Sequence, residues 1–230
     1  EGLDIFGNSE SCDETGGDYF DYVKDCGSSG CSLRILVGDV AGHGIASALL
    51  MSGVRASFRQ RHGMGGSLED IFTDVNRQVA LDVGDSGRFV TLFGLEIDAI
   101  NRRARWVRAG HEPGLLFRAE AQQFETLTGE GVPLGAIHQY PFTGYTVEGL
   151  ATGDIFILST DGLWEARDAE GHMFGRERLK VLARQHCRDD AETLLTTIFD
   201  AVDAHTGGAP PADDKSLIII KVGSPPRGGF

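Results

Sequence analysis

The sequence predicts an α+β fold, a sandwich of two packed, mostly antiparallel sheets whose outer faces are covered by helix pairs. Three observations carry this. Short apolar runs of strand length recur from Leu3 to Val222, helical spacing appears in two pairs (one early and one late), and Gly, Pro or Asn signals separate the strands. Strands massed in the middle with helix pairs on either side fit layers of helix, sheet, sheet and helix.

The elements follow in order. Leu3–Asn8, Asp18–Lys24 and Leu33–Asp39 read as an antiparallel start, with Gly27-Ser28-Ser29-Gly30 turning the chain between the last two. Gly44 releases a helix over Ile45–Arg61, where Ile45, Ala48, Leu49, Ser52, Ala56 and Arg59 trace a small-residue face expected to pack on a sheet. Ser67 and Asp70 resemble a capping box ahead of a second helix with Leu68, Ile71, Phe72, Val75 and Val79 on one stripe. Strands are expected at Arg88–Asp98, Ala104–Ala109, Gly114–Arg118, Gln123–Leu127, Gly144–Glu148 and Asp154–Thr160. Helices at Glu177–His186 and Ala191–His205 and a last strand at Ser216–Val222 complete the chain.

The 230 residues read as one domain over 1–223 with a flexible tail over 224–230. The chain starts at Glu1 without an initiator Met or an apolar signal segment, which fits a fragment with a regulatory domain upstream. No apolar run approaches the roughly 20 residues of a membrane helix, and no membrane association is expected. A net charge of −13 argues against nucleic acid as a partner, because phosphate backbones are bound through Lys and Arg. Arg102, Arg103, Arg105 and Arg108 read as a solvated face. The 4 cysteines, Cys12, Cys26, Cys31 and Cys187, have no zinc-type spacing and read as reduced thiols.

Chemistry concentrates at strand ends. Gly38-Asp39-Val40-Ala41-Gly42-His43-Gly44, Thr160-Asp161-Gly162 and Asp213-Asp214-Lys215-Ser216 each adjoin an apolar run, and Gly16-Gly17-Asp18 precedes another. Carboxylates gathered there repel by about 4 kcal/mol per pair at 4 Å and an effective dielectric of 20, so the fold needs protons or cations between them. An all-oxygen set selects hard ions such as Mg²⁺ or Mn²⁺, and metal-assisted hydrolysis of phosphate monoesters is the chemistry implied.

These motifs, with Ala109-Gly110-His111, Gly131-Val132-Pro133-Leu134-Gly135 and Glu165-Ala166, occur in an order that resembles the PPM-type (type 2C) serine/threonine phosphatases, in particular their bacterial SpoIIE/RsbU-like branch. The resemblance implies the α-β-β-α sandwich and a site holding two Mn²⁺ or Mg²⁺ ions. Asp39 bridges both, the carbonyl of Val40 completes one, and Asp161, Asp213 and Asp18 supply the remaining ligands. Strand alternation lets only one of Asp213 and Asp214 face the metals, and the resemblance implies Asp213, the first acid of the pair and three before Ser216. His43 and Asp214 stand behind the ligands, and Asp21, on the opposite face from Asp18, has a surface role. His43 and His111 invite roles as general acids, though a lone His is more often structural.

The implied reaction passes phosphate to a metal-activated water with no phosphoenzyme. The Arg that grips phosphate in eukaryotic members has no counterpart between Glu1 and Asp18. The branch implies a cytoplasmic bacterial enzyme acting on phosphoserine or phosphothreonine of an anti-sigma-factor antagonist, with a sensor or receiver domain upstream and room for a homodimer. A pseudophosphatase or phosphoprotein-binding module is the alternative. A diguanylate cyclase is remoter, because Tyr19 replaces the acid in Gly16-Gly17-Asp18-Tyr19-Phe20.

Overall fold

The computed structural model describes residues 2–224 apart from 13, 28, 29 and 43. The expected tail from 225 onward, the turn residues Ser28 and Ser29, and His43 lie outside the described residues. The elements are β1 (Leu3–Glu10), β2 (Tyr19–Gly27), β3 (Gly30–Val40), α1 (Ile45–Gly63), α2 (Leu68–Val83), β4 (Val90–Asp98), β5 (Arg103–Ala109) and β6 (Gly114–Arg118). They continue with β7 (Gln123–Leu127), β8 (Gly144–Glu148), β9 (Ile155–Ser159), α3 (Gly162–Glu165), α4 (Arg176–Gln185), α5 (Ala191–Thr206) and β10 (Lys215–Val222).

The strands form two five-stranded sheets, β1-β10-β9-β6-β7 and β2-β3-β4-β5-β8, with antiparallel pairing between their strands. Strand alternation divides the apolar residues into three layers. Ile35, Val37, Phe93 and Leu95 of one sheet meet Phe156, Leu158, Ile218 and Ile220 of the other in the middle layer. Leu36, Val40 and Leu92 turn outward onto α1 and α2. Ile157, Leu217 and Ile219 turn outward onto α4 and α5. Among the described residues no helix is long and apolar enough to cross a membrane.

Helix starts follow local chemistry. Gly44, at φ 85°, begins α1 without a side-chain cap, and the Ser67–Asp70 capping box forms at α2. The face of α1 differs from expectation. Ile45 and Leu49 are 71% and 68% exposed, and Ser47, Met51, Val54 and Phe58 face the sheet instead. A stripe that opens on a serine conceals the true period, and Phe58 decides it by stacking edge-on against Phe72 at 6.1 Å.

Asp21 is a second correction. It is 8% exposed, not a surface group. With Tyr19 it faces α1, where Arg59 binds it through Nε at 2.6 Å and Nη2 at 2.7 Å and the Tyr19 hydroxyl donates at 2.9 Å. The arginine cluster on β5 is also used: Arg103 pairs with Asp98 and Arg105 with Glu69. Cys187 is a free thiol, but Cys31, expected to be reduced, is disulfide-bonded. The hairpin register sets Cys26 opposite it.

The α1 correction has a measurable consequence. Phe58→Ala, which empties a fully buried site, should cost about 3–5 kcal/mol in urea unfolding, whereas Leu49→Gln should stay within about 0.5 kcal/mol of the parent. Equal losses would return the packing face to Leu49.

Candidate active site

One end of the sandwich collects the acids. Asp39 shares its side of β3 with Ile35 and Val37, which face the other sheet, so its carboxylate emerges where the middle layer runs out. The pairing of Tyr19 with Gly38 continues to set Asp18 across from Asp39. Asp161 follows the buried β9 and Asp213 precedes the buried β10, neighbours in the opposite sheet. Each sheet thus delivers two carboxylates to the same end.

Contacts fix the arrangement closely. The Thr160 hydroxyl donates to Asp18 Oδ2 at 2.6 Å and accepts the Ser216 N–H at 2.9 Å. A Cβ on Gly162 would stand 2.1 Å from the carbonyl oxygen of Asp214 and 3.3 Å from Asp213 Cβ, so only glycine lets the Asp161 turn lie against the start of β10. A Cβ on Gly17 would stand 3.1 Å from the carbonyl oxygens of Val40 and Gly42 and 3.3 Å from Asp39 Oδ1. Its absence leaves a hollow walled by oxygens.

Asp213 is exposed, while Asp214 is 3% exposed. Alternation runs opposite to the expectation that Asp214 turns away: it continues the inward side of Ser216 and Ile218 and accepts main-chain N–H groups from Cys12 and Gly17 at 2.8 and 2.6 Å. Sequence reasoning placed Asp214 behind the ligands but missed its anchorage by the main chain. Its signal was the glycine pair Gly16-Gly17, which permits a close approach of main chain to a carboxylate.

Burial dominates the electrostatics. It lifts Asp39 to about 7, with Asp161, Asp213 and Asp214 adding repulsion. It lifts Asp18 to about 8, against hydrogen bonds from Thr160 and Ser216 and with repulsion from Asp39 and Asp214. Asp161 is raised by burial and then by Asp213. The carboxylates therefore behave as one coupled cluster short of positive charge.

The donors fit a hard cation in kind: carboxylate and carbonyl oxygens around a glycine hollow, with mutual repulsion to relieve. Among the described residues no three His, Cys, Asp or Glu side chains stand together so that they could hold a metal ion as placed. A cleft of about 370 Å³ opens beside Asp213, lined by Gly162, Glu165, Ala166, Arg167, Pro210 and Lys215 among others.

His111 lies between the sheets, fully enclosed. Burial drives its pKa down to about 4, so the ring is neutral. With its proton on Nε2 it donates to the Ser159 carbonyl at 3.3 Å and accepts the Thr91 hydroxyl at Nδ1 at 2.9 Å. That hydroxyl also lies 3.3 Å from the Asp39 carbonyl. The ring is a crosspiece joining the strand ends that carry Asp39 and Asp161, not a proton donor at the mouth.

The raised acids fix a sign. Asp39 has a folded pKa near 7, above the roughly 3.9 of an unfolded Asp, so its stabilising contribution is full below about pH 4 and lost as pH rises through 7. Asp39→Asn should therefore stabilise the metal-free protein increasingly from pH 5 to pH 8, by about 1–3 kcal/mol at the upper end. Urea unfolding in EDTA across that range checks it, and a difference independent of pH would remove the assignment.

Known proteins share this architecture. The phosphoserine phosphatase RsbU of Bacillus subtilis is 29% identical over 221 residues, which cover 96% of this chain and 64% of that protein. The structure of the RsbU and RsbW domains of Rv1364c from Mycobacterium tuberculosis superposes with a TM-score of 0.81 at 24% identity, over 98% of this chain and 63% of that one. The SiaA-PP2C domain of Pseudomonas aeruginosa gives a TM-score of 0.81 at 22% identity, over 94% and 85%. The fold is that of the PP2C phosphatase domains, as expected. The family described as Stage II sporulation protein E (SpoIIE) matches residues 29–223, most of the sequence, and the chain belongs to that SpoIIE family.

Proposed function

We propose that this chain is a metal-dependent protein serine/threonine phosphatase that hydrolyses phosphoserine or phosphothreonine on an anti-sigma-factor antagonist in bacterial partner-switching signalling. The observation that carries this reading is the meeting of two carboxylates from each sheet at one end of the sandwich, where burial and mutual repulsion raise Asp18, Asp39 and Asp161. Asp18, Asp39, Asp161 and Asp213, with the carbonyl of Val40, would hold Mn²⁺ or Mg²⁺, two ions in the reading that the family implies. Such ions, when bound, lower the pKa of water and offset the charge of a phosphoryl group.

The chain's own groups do the rest. Thr160 fixes one oxygen of Asp18, Gly17 keeps the hollow beside Asp39 open, and His111 ties together the strand ends beneath. The cleft of about 370 Å³ beside Asp213 is the place for residues flanking a phosphorylated side chain in this reading. Support for the substrate class comes from RsbU, a phosphoserine phosphatase by name. Support for the pathway comes from the mycobacterial chain that joins RsbU and RsbW domains. At a net charge of −13 the surface repels a phosphoprotein at long range, so attraction has to be local to the mouth.

Incubation with a phosphorylated anti-sigma-factor antagonist and Mn²⁺ should release phosphate, and excess EDTA should stop it. Asp39→Asn should lower kcat/KM by roughly 10³-fold, the ~4 kcal/mol of charge stabilisation that a lost ligand removes. Full turnover in EDTA, or parental rates from Asp39→Asn, would overturn the reading.

A further inference from the structure

We propose that Asp214 is a positioning residue that presents Asp18 to the site by anchoring the main chain leading into β2, and is not itself a ligand. The proposal rests on the functional reading above, and goes beyond it in assigning separate tasks to two adjacent acids. Both oxygens of Asp214 are occupied. Oδ1 accepts the Cys12 N–H at 2.8 Å, and Oδ2 accepts the Gly17 N–H at 2.6 Å and the Asp18 N–H at 3.3 Å. Hydrogen bonds from N–H groups to a buried carboxylate are among the stronger ones a main chain makes.

The anchor is itself immobile. The carbonyl of Asp214 lies against Gly162 so closely that a Cβ there would stand at 2.1 Å. On the other side, a Cβ on Gly16 would stand 2.5 Å from Asp214 Oδ2 and 2.8 Å from Ser11 Oγ. The anchored segment carries the chain from β1 in one sheet to β2 in the other, and Asp18 is its last residue before β2 begins. Asp18 is therefore gripped twice, by its N–H through Asp214 and by its side chain through Thr160 at 2.6 Å. Asp213, exposed one residue earlier, adds repulsion to Asp39 and Asp161, while Asp214 adds it to Asp39 and Asp18.

Asp214→Asn keeps the volume but turns an amide NH₂ toward main-chain N–H groups. Gly16→Ala attacks the same contact from the opposite side. Hydrogen exchange on the metal-free protein should show the amides of Cys12, Gly17 and Asp18 exchanging at least tenfold faster in both variants, with β3, β4 and β9 at parental rates. Titration with Mn²⁺, followed by the resonance of the free ion, should show affinity falling at least tenfold. The half-activating Mn²⁺ concentration should rise in parallel, with most of the lost turnover recovered at saturation.

Unchanged exchange at those amides would overturn the proposal, as would a fall in turnover that saturating Mn²⁺ does not relieve. Protection lost across the whole molecule in both variants would overturn it too, since Asp214 would then support the fold at large. The exchange measurement needs neither metal nor substrate. Failure of the phosphatase reading would show as an inactive parent protein and would leave the exchange result to be judged separately.

Discussion

The hydrocarbon layer between the two sheets is the constraint on which the site depends. Ile35, Val37, Phe93, Phe156, Leu158, Ile218 and Ile220 interdigitate there, and a one-residue slip of β3 or β10 would turn their side chains to the wrong face. Apolar burial thus fixes register, and register fixes where the next side chains emerge. Asp39 and Asp214 point inward because they follow the alternation of their strands, at the place where no partner hydrocarbon remains. The repulsion among the acids is imposed on the site by a core that cannot rearrange to avoid it.

Two kinds of carboxylate result, told apart by what surrounds them. Asp21 and Asp214 are buried and satisfied, Asp21 by the Arg59 guanidinium and the Tyr19 hydroxyl and Asp214 by main-chain N–H groups. Burial pushes Asp21 up, but hydrogen bonds from Arg59 and Tyr19 and ion pairing with Arg59 and Arg55 hold it below the usual carboxylate range. Asp18 and Asp39 are raised to about 8 and about 7, because burial and like charge outweigh the few donors that reach them. Acids left short of positive charge in an otherwise well-paired protein are where a cation contributes most.

Much of this was legible in the sequence. Strand runs bounded by Gly and Pro located the ten strands of the described residues, and the apolar stretches before Asp39 and Asp161 and after Asp214 marked them as strand-end acids. Other features were hidden for physical reasons. The buried face of α1 begins on Ser47 and includes few large residues, so counting apolar side chains favoured Ile45 and Leu49, which face outward. Asp21 looked exposed because its partner Arg59 lies 38 residues away. The inward turn of Asp214 depends on Cys12 and Gly17, about two hundred residues distant. The single helical turn of α3 is too short to show a period.

The pairing of β1 with β10, Leu3 opposite Val222, joins nearly the two extremes of the described chain. Sheet closure at that edge waits for the last strand to be made, a long-range contact whose loop-closure entropy is met late. On a ribosome, a chain halted just after α5 already carries Asp18, Asp39 and Asp161, yet it lacks the strand between β1 and β9 and the carboxylate that positions Asp18's main chain. The site is thus complete only once β10 has been made, and a chain stopped before that strand carries these acids without the geometry that would make them useful.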